Sequence, residues 1–248
     1  NIAHNENKIT EMPDNYIEEN YTFGNGNYAY RREEGRPMGS FYGYRYKGVY
    51  QNKDATYARD IEGNVMKDIS GNAIVMRNGS YTVAPGDAIY EDVNHDGVIN
   101  QYDIVYLGNS NPRLTGGAGL NVSYKQFKLS AIFYGRYGQD VVNATRLNNE
   151  SMRGIDNQST AVLRRWRNEG DQTDIPRALY GEGYNTLGSD RFVEDASYLR
   201  LKSLSFTYRL PKKAIQRWGF NNIDVYVTGY NLFTWTKYTG QDQIGRAH

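Results

Sequence analysis

The sequence predicts an all-β chain that is part of an antiparallel transmembrane β-barrel with long extracellular loops. Three observations carry this reading. Segments near the nine to eleven residues that a tilted membrane strand requires alternate apolar and polar side chains. The composition suits sheets and interfaces, with 23 Tyr and 26 Gly and no Leu-rich helical stretch. Short and long connections alternate, as in barrels with short periplasmic turns and long outer loops.

Taken in order, residues 10–40 are polar and turn-rich, with Gly24-Asn-Gly-Asn27 at their centre. In Gly39-Ser-Phe-Tyr-Gly-Tyr-Arg-Tyr-Lys-Gly-Val-Tyr50, aromatic residues between glycines predict short extended pieces. Residues 51–85 read as an excursion of hairpins, with turns at Glu62-Gly63-Asn64, Gly71-Asn72 and Asn78-Gly79. Residues 1–115 are therefore expected to hold the end of a barrel strand and a large outer excursion. Residues 116–243 are expected to hold the following strands and loops.

Strand 116–124 places Ala118, Leu120, Val122 and Tyr124 on one face and Gly117, Gly119, Asn121 and Ser123 on the other. Lys125-Gln126 makes a two-residue turn into strand 127–135, where Phe127, Leu129, Ala131 and Phe133 line up; a half-buried soluble sandwich hairpin would satisfy the same alternation. The long connection 136–196 is expected to contain a helix from Thr160 to Asn168, capped by Ser159, with Val162, Leu163 and Trp166 inward. Strand 198–210 changes phase between Leu201 and Leu204, which predicts a bulge at Lys202-Ser203. Pro211 to Gly219 reads as a compact helical turn, with Pro211 at its first position. Ile223 to Leu232 is the last strand. Ile244-Gly-Arg-Ala-His248 has no periodicity, reads as a translated adapter sequence and is expected to be non-native.

Asp92-Val-Asn-His-Asp-Gly-Val-Ile-Asn-Gln-Tyr-Asp103 follows the twelve-residue calcium-loop template. Asp92, Asn94 and Asp96 take positions 1, 3 and 5, and Gly97 takes the sharp turn at position 6. Val98 offers its carbonyl at position 7, Asn100 stands at position 9, and Asp103 closes the loop in place of Glu. Ile99 is expected to pack back on the support, and His95 to stay solvated. A structural Ca²⁺ is the expected cofactor; the alternative is an Asp/Asn-rich surface turn with no metal.

Other chemistry is absent from the pattern. Net charge is +1 without a basic run, so nucleic acid is not an expected partner. There is no Cys, which excludes disulfides and thiolate metal sites. The histidines are isolated and no nucleophile elbow or phosphate cradle occurs, so no enzyme is expected. Tyr180, Tyr184 and Trp166 suit either sugar stacking or a loop core.

The collinear set Gly39-Ser-Phe-Tyr-Gly-Tyr44, Asp92-Val-Asn-His-Asp-Gly97, Gly138-Gln-Asp140, Arg164-Arg-Trp166, Glu194-Asp-Ala-Ser-Tyr-Leu-Arg-Leu-Lys-Ser203 and Asn231-Leu-Phe-Thr-Trp235 resembles the C-terminal part of SusC/RagA-type TonB-dependent transporters. The resemblance implies a plugged 22-stranded antiparallel barrel in the outer membrane of a Gram-negative bacterium. It also implies import of oligosaccharides or peptides, a SusD-like surface lipoprotein as partner, contact with outer-membrane lipid, and energy through TonB. The plug, the TonB box and the closing strand are missing from this sequence. With about ten residues per strand, it is expected to be a fragment supplying five or six strands. Two alternatives remain: a soluble calcium-stabilised β-domain binding glycans at the cell surface, and a secreted carbohydrate-active enzyme.

Overall fold

The computed structural model describes residues 1–12, 19–23, 26–181 and 183–240. The tail 244–248 and the Gly24-Asn25 half of the first expected turn lie outside the described residues. The chain divides into two compact units that interleave in sequence. One comprises residues 1–7, 111–140 and 195–239; the other comprises the described residues of 8–110 and 141–194. Among the described residues, no helix is long and apolar enough to cross a membrane.

The first unit is a five-stranded antiparallel sheet. Its strands are β1 (Ile2–His4), β2 (Leu114–Tyr124), β3 (Phe127–Tyr137), β4 (Tyr198–Arg209) and β5 (Asp224–Thr236), laid side by side in that order. β2 and β3 pair without interruption, from Leu114 opposite Tyr137 to Tyr124 opposite Phe127. Lys125 turns the corner at φ 52°. Lys202 drops out of the ladder on both sides, which is the bulge that the phase change predicted. β5 runs on to Thr236 because Asn231, at φ 52°, and Leu232 form a second bulge that lets pairing resume at Phe233. The sequence reading stopped the strand at that irregularity.

The ladder sorts the side chains into two faces. Leu120, Ala131, Leu204 and Gly229 form one row across the sheet, and Val122, Leu129, Phe206 and Val227 the next. Serine, threonine, asparagine and charged residues dominate the other face. There Ser205 accepts a hydrogen bond from Thr228 at 2.8 Å, Arg200 donates to Thr234 at 2.9 Å, and Arg209 grips Asp224 with two contacts of 2.8 Å. The apolar rows stay open to their surroundings: Leu120 is 53% exposed, Val122 49%, Phe206 47% and Val227 72%.

The second unit keeps its apolar residues inside. Strands Glu19–Phe23, Gly26–Tyr30, Ser40–Gly43 and Val105–Asn109 make one sheet. Gly43 lies where a Cβ would come 2.4 Å from the carbonyl oxygen of Gly188, so only glycine permits that approach. Tyr28, Phe41, Leu147 and Phe192 close one buried cluster. A larger one gathers Tyr50, Ala58, Met76, Val83, Ala88, Tyr90, Ile99 and Tyr184. The predicted hairpin turns are present: Asp60 and Asp68 each accept backbone N–H groups two and four residues on.

Two local expectations are corrected. The expected helix Thr160 to Asn168 is a short 3-10 turn, Thr160–Arg164, although Ser159 does cap it by accepting the Ala161 N–H. Val162 is buried, but Leu163 is 66% exposed, because a three-residue period cannot hold adjacent residues on one inward face. Pro211 stands one place before the helical turn Lys212–Ile215, with an extended ψ of 133°; Gly219 ends the following turn at φ 77°.

Candidate functional site

Two features are candidates for function: the two-faced sheet, and the loop 92–103 with its mounting. The sheet is built for two environments. Eleven residues of β2 at about 3.3 Å each, tilted by the usual 35–45°, rise about 26–30 Å, enough to cross the apolar band of outer-membrane barrels. Aromatic rings frame that band. At the short-turn end the ring centre of Phe127 lies 4.9 Å from Tyr208 and 5.7 Å from Phe206. At the other end, Phe233 and Trp235 stack at 6.2 Å. Rings with an apolar body and a polar tip collect at membrane–water interfaces. The connections 5–113 and 138–197 both leave from this second end, since β2, β3 and β4 alternate in direction.

Loop 92–103 turns at the glycine that the spacing put at position 6. Gly97 makes the turn at φ 79°, where a Cβ would come 3.0 Å from that of Ala58. Asp92 accepts the N–H of Asp96 at 3.2 Å and of Gly97 at 2.8 Å. Asp96 accepts the Val98 N–H at 2.8 Å, and the side-chain amides of Asn94 and Asn100 reach the same carboxylate at 2.9 and 3.5 Å. The Asn100 amide also reaches the Val98 carbonyl at 3.2 Å. These five residues are therefore brought together.

Asp103 is held differently. It is fully buried, and its two oxygens accept the N–H groups of Val93 and Asn100, both at 2.8 Å. With Asn100 it forms a reciprocal cap on the 3-10 turn Gln101–Asp103. Burial pushes its carboxyl pKa up, and the neighbouring Asp92 and Asp96 add to that. Among the described residues, no three acidic or histidine side chains are drawn together tightly enough to form a metal cluster. His95 is exposed, with its Nδ1 3.3 Å from the Arg59 carbonyl.

The loop is tied into the larger core. Ile99 is fully buried in the larger core, as its position predicted. Its N–H donates to the Arg77 carbonyl at 2.8 Å, and its own carbonyl accepts from the Asn78 amide at 2.7 Å. Beside it stands a polar knot that sequence reasoning missed. Asp87, fully buried, takes Arg177 at 2.7 Å, Tyr81 at 2.7 Å and the Asn185 amide at 3.2 Å. Tyr81 is close in sequence, but Arg177 and Asn185 lie 90 and 98 residues from Asp87, so nothing local signals the knot. Tyr184 belongs to the core, its ring 5.2 Å from Tyr81, and Trp166 covers Gly86. Of the three aromatics weighed for sugar stacking, Tyr180 alone is exposed.

No family model matches the chain. TonB-dependent receptor P3 of Formosa agariphila is 32% identical over 249 residues, covering 98% of this chain and 22% of the relative. TonB-dependent receptor P26 of the same organism is 36% identical over 160 residues, 64% of this chain. The solved RagAB peptide transporter superposes with a TM-score of 0.65 and 25% identity, over 96% of this chain and 23% of that one. The chain belongs to the SusC/RagA type of TonB-dependent receptor. It spans about a fifth of the length of the curated relatives it matches. In this receptor segment the five-stranded antiparallel sheet is the part that fits a barrel wall.

Proposed function

We propose that this segment supplies wall strands and outer loops to an outer-membrane importer of oligosaccharides or peptides. Uptake is driven through TonB, and a SusD-like lipoprotein works at the outer mouth. The observation that carries the reading is the exposed apolar face of the sheet, framed by aromatic rings and backed by a polar face. A soluble glycan-binding domain would instead cover that face. Peptide uptake is favoured between the two cargoes by the likeness to a protein described as a peptide transporter. The test is growth on defined peptides or oligosaccharides as sole nutrient, with the receptor gene deleted and restored. Loss of growth on one cargo class that restoration recovers supports importer function. Unchanged growth on every cargo of both classes contradicts it.

We further propose that loop 92–103 binds one structural Ca²⁺ through Asp92, Asn94, Asp96, the Val98 carbonyl and Asp103, with Asn100 direct or through water. Each Asp103 oxygen that accepts one N–H keeps a second lone pair for a cation. Calcium should protect the loop from proteolysis, and a chelator or Asp96→Ala should remove the protection. Equal cleavage with and without calcium contradicts the site.

A further inference from the structure

The apolar face of the sheet is hollowed at the end from which the long connections leave. The hollow measures about 1030 Å³ and is open, with Asn1 and Ile2 bounding one side. Its floor is low because Gly116 and Gly135 pair directly across β2 and β3, and the next position up is only Ala118. Leu114, Phe133, Leu199 and Trp235 stand around that floor. The lip is polar: Asp195, Ser197 and Lys237 lie along it, with the Ser197 N–H held by Asp195 at 2.8 Å.

Hydrocarbon fills a slot of this kind well. A glycine-floored hollow across the ends of the five strands takes a flexible chain. The Phe233–Trp235 stack fixes the lip at headgroup depth. Lys237 is exposed there, where a cation attracts anionic headgroups. Resting on the membrane placement argued above, we propose that the hollow is a lipid site. An acyl chain of an outer-membrane lipid lies in the trough and its phosphate meets Lys237.

The test is native mass spectrometry, with phosphate analysis, of the intact receptor purified from outer membranes in mild detergent. Ala118→Trp, Lys237→Glu and the control Val227→Trp, on the same face, are compared with wild type. Heat-dependent gel mobility checks that each barrel is folded. Wild type and Val227→Trp should retain a phosphate-bearing lipid through detergent exchange. Ala118→Trp should lose it, and Lys237→Glu should retain about five-fold less. Retention unchanged in both variants, or no retained lipid on a folded wild-type barrel, overturns the proposal. If Ala118→Trp does not reach the membrane, Lys237→Glu decides alone. A wild-type receptor absent from the outer membrane counts against the importer reading instead.

Discussion

The two units of this chain solve opposite problems with the same residue types. In the loop unit, Tyr28 and Tyr90 are buried and their hydroxyls reach the carbonyls of Ser189 and Tyr184 at 2.8 and 3.0 Å. On the apolar face of the sheet, Tyr124 is 67% exposed, Val227 72% and Phe233 61%. One unit hides apolar surface from water. The other displays it, which is stable only where the surroundings are themselves apolar. A substitution should therefore change its meaning with the unit it falls in.

The largest effect should come from the buried polar knot. Arg177→Met strips the cation from fully buried Asp87 and should cost about 3–5 kcal/mol of local stability. Loops 51–110 should become protease-sensitive while heat-dependent mobility still reports a folded barrel. Next comes the sheet. Leu120→Arg should cost about 2–4 kcal/mol near mid-membrane, whereas Asn121→Arg, one residue on and facing the other way, should be near neutral. Denaturant titration of the receptor in lipid vesicles compares them. If both substitutions cost the same, the difference between the faces is lost.

The tyrosine core also sets a pH limit. Burial pushes the Tyr50 hydroxyl up to about 12 from an ordinary 10.0, with Asp87 and Asp92 contributing and Tyr184 opposing. A raised pKa means that its share of stability is complete below pH 10.0 and is lost as pH rises towards about 12. That share is about 2–3 kcal/mol. Ultraviolet titration should show the loop unit opening in that window, and Tyr50→Phe should delay it. The smallest effect is Gly97→Ala, which forces a side chain to φ 79° against Ala58. About 1–2 kcal/mol of strain is expected, read as faster hydrogen exchange within loop 92–103.

The strands of the sheet were legible because alternation is a local signal. Their ends fell within a few residues of the reading, and even the Lys202 bulge showed as a change of phase. The second bulge was not legible, since Gly229-Tyr-Asn-Leu232 offers no clean phase on either side. The Asp92–Gly97 turn was readable because the template is contiguous. The role of Asp103 was not. Nothing in the spacing tells that its carboxylate closes the turn with two backbone N–H groups. The Asp87–Arg177 knot and the tyrosine core depend on contacts across long stretches of chain. Neither periodicity nor composition carries that information.

In the intact receptor the apolar face of the sheet should meet lipid. The chain contains no cysteine, so single cysteines can be introduced from Gly119 to Ser123 and labelled with a fluorophore in the membrane-embedded receptor. Labels at Leu120 and Val122 should be quenched by a lipid-soluble nitroxide and spared by aqueous iodide. Labels at Gly119, Asn121 and Ser123 should resist the nitroxide. Uniform iodide quenching at all five positions, or the reverse alternation, would contradict the account.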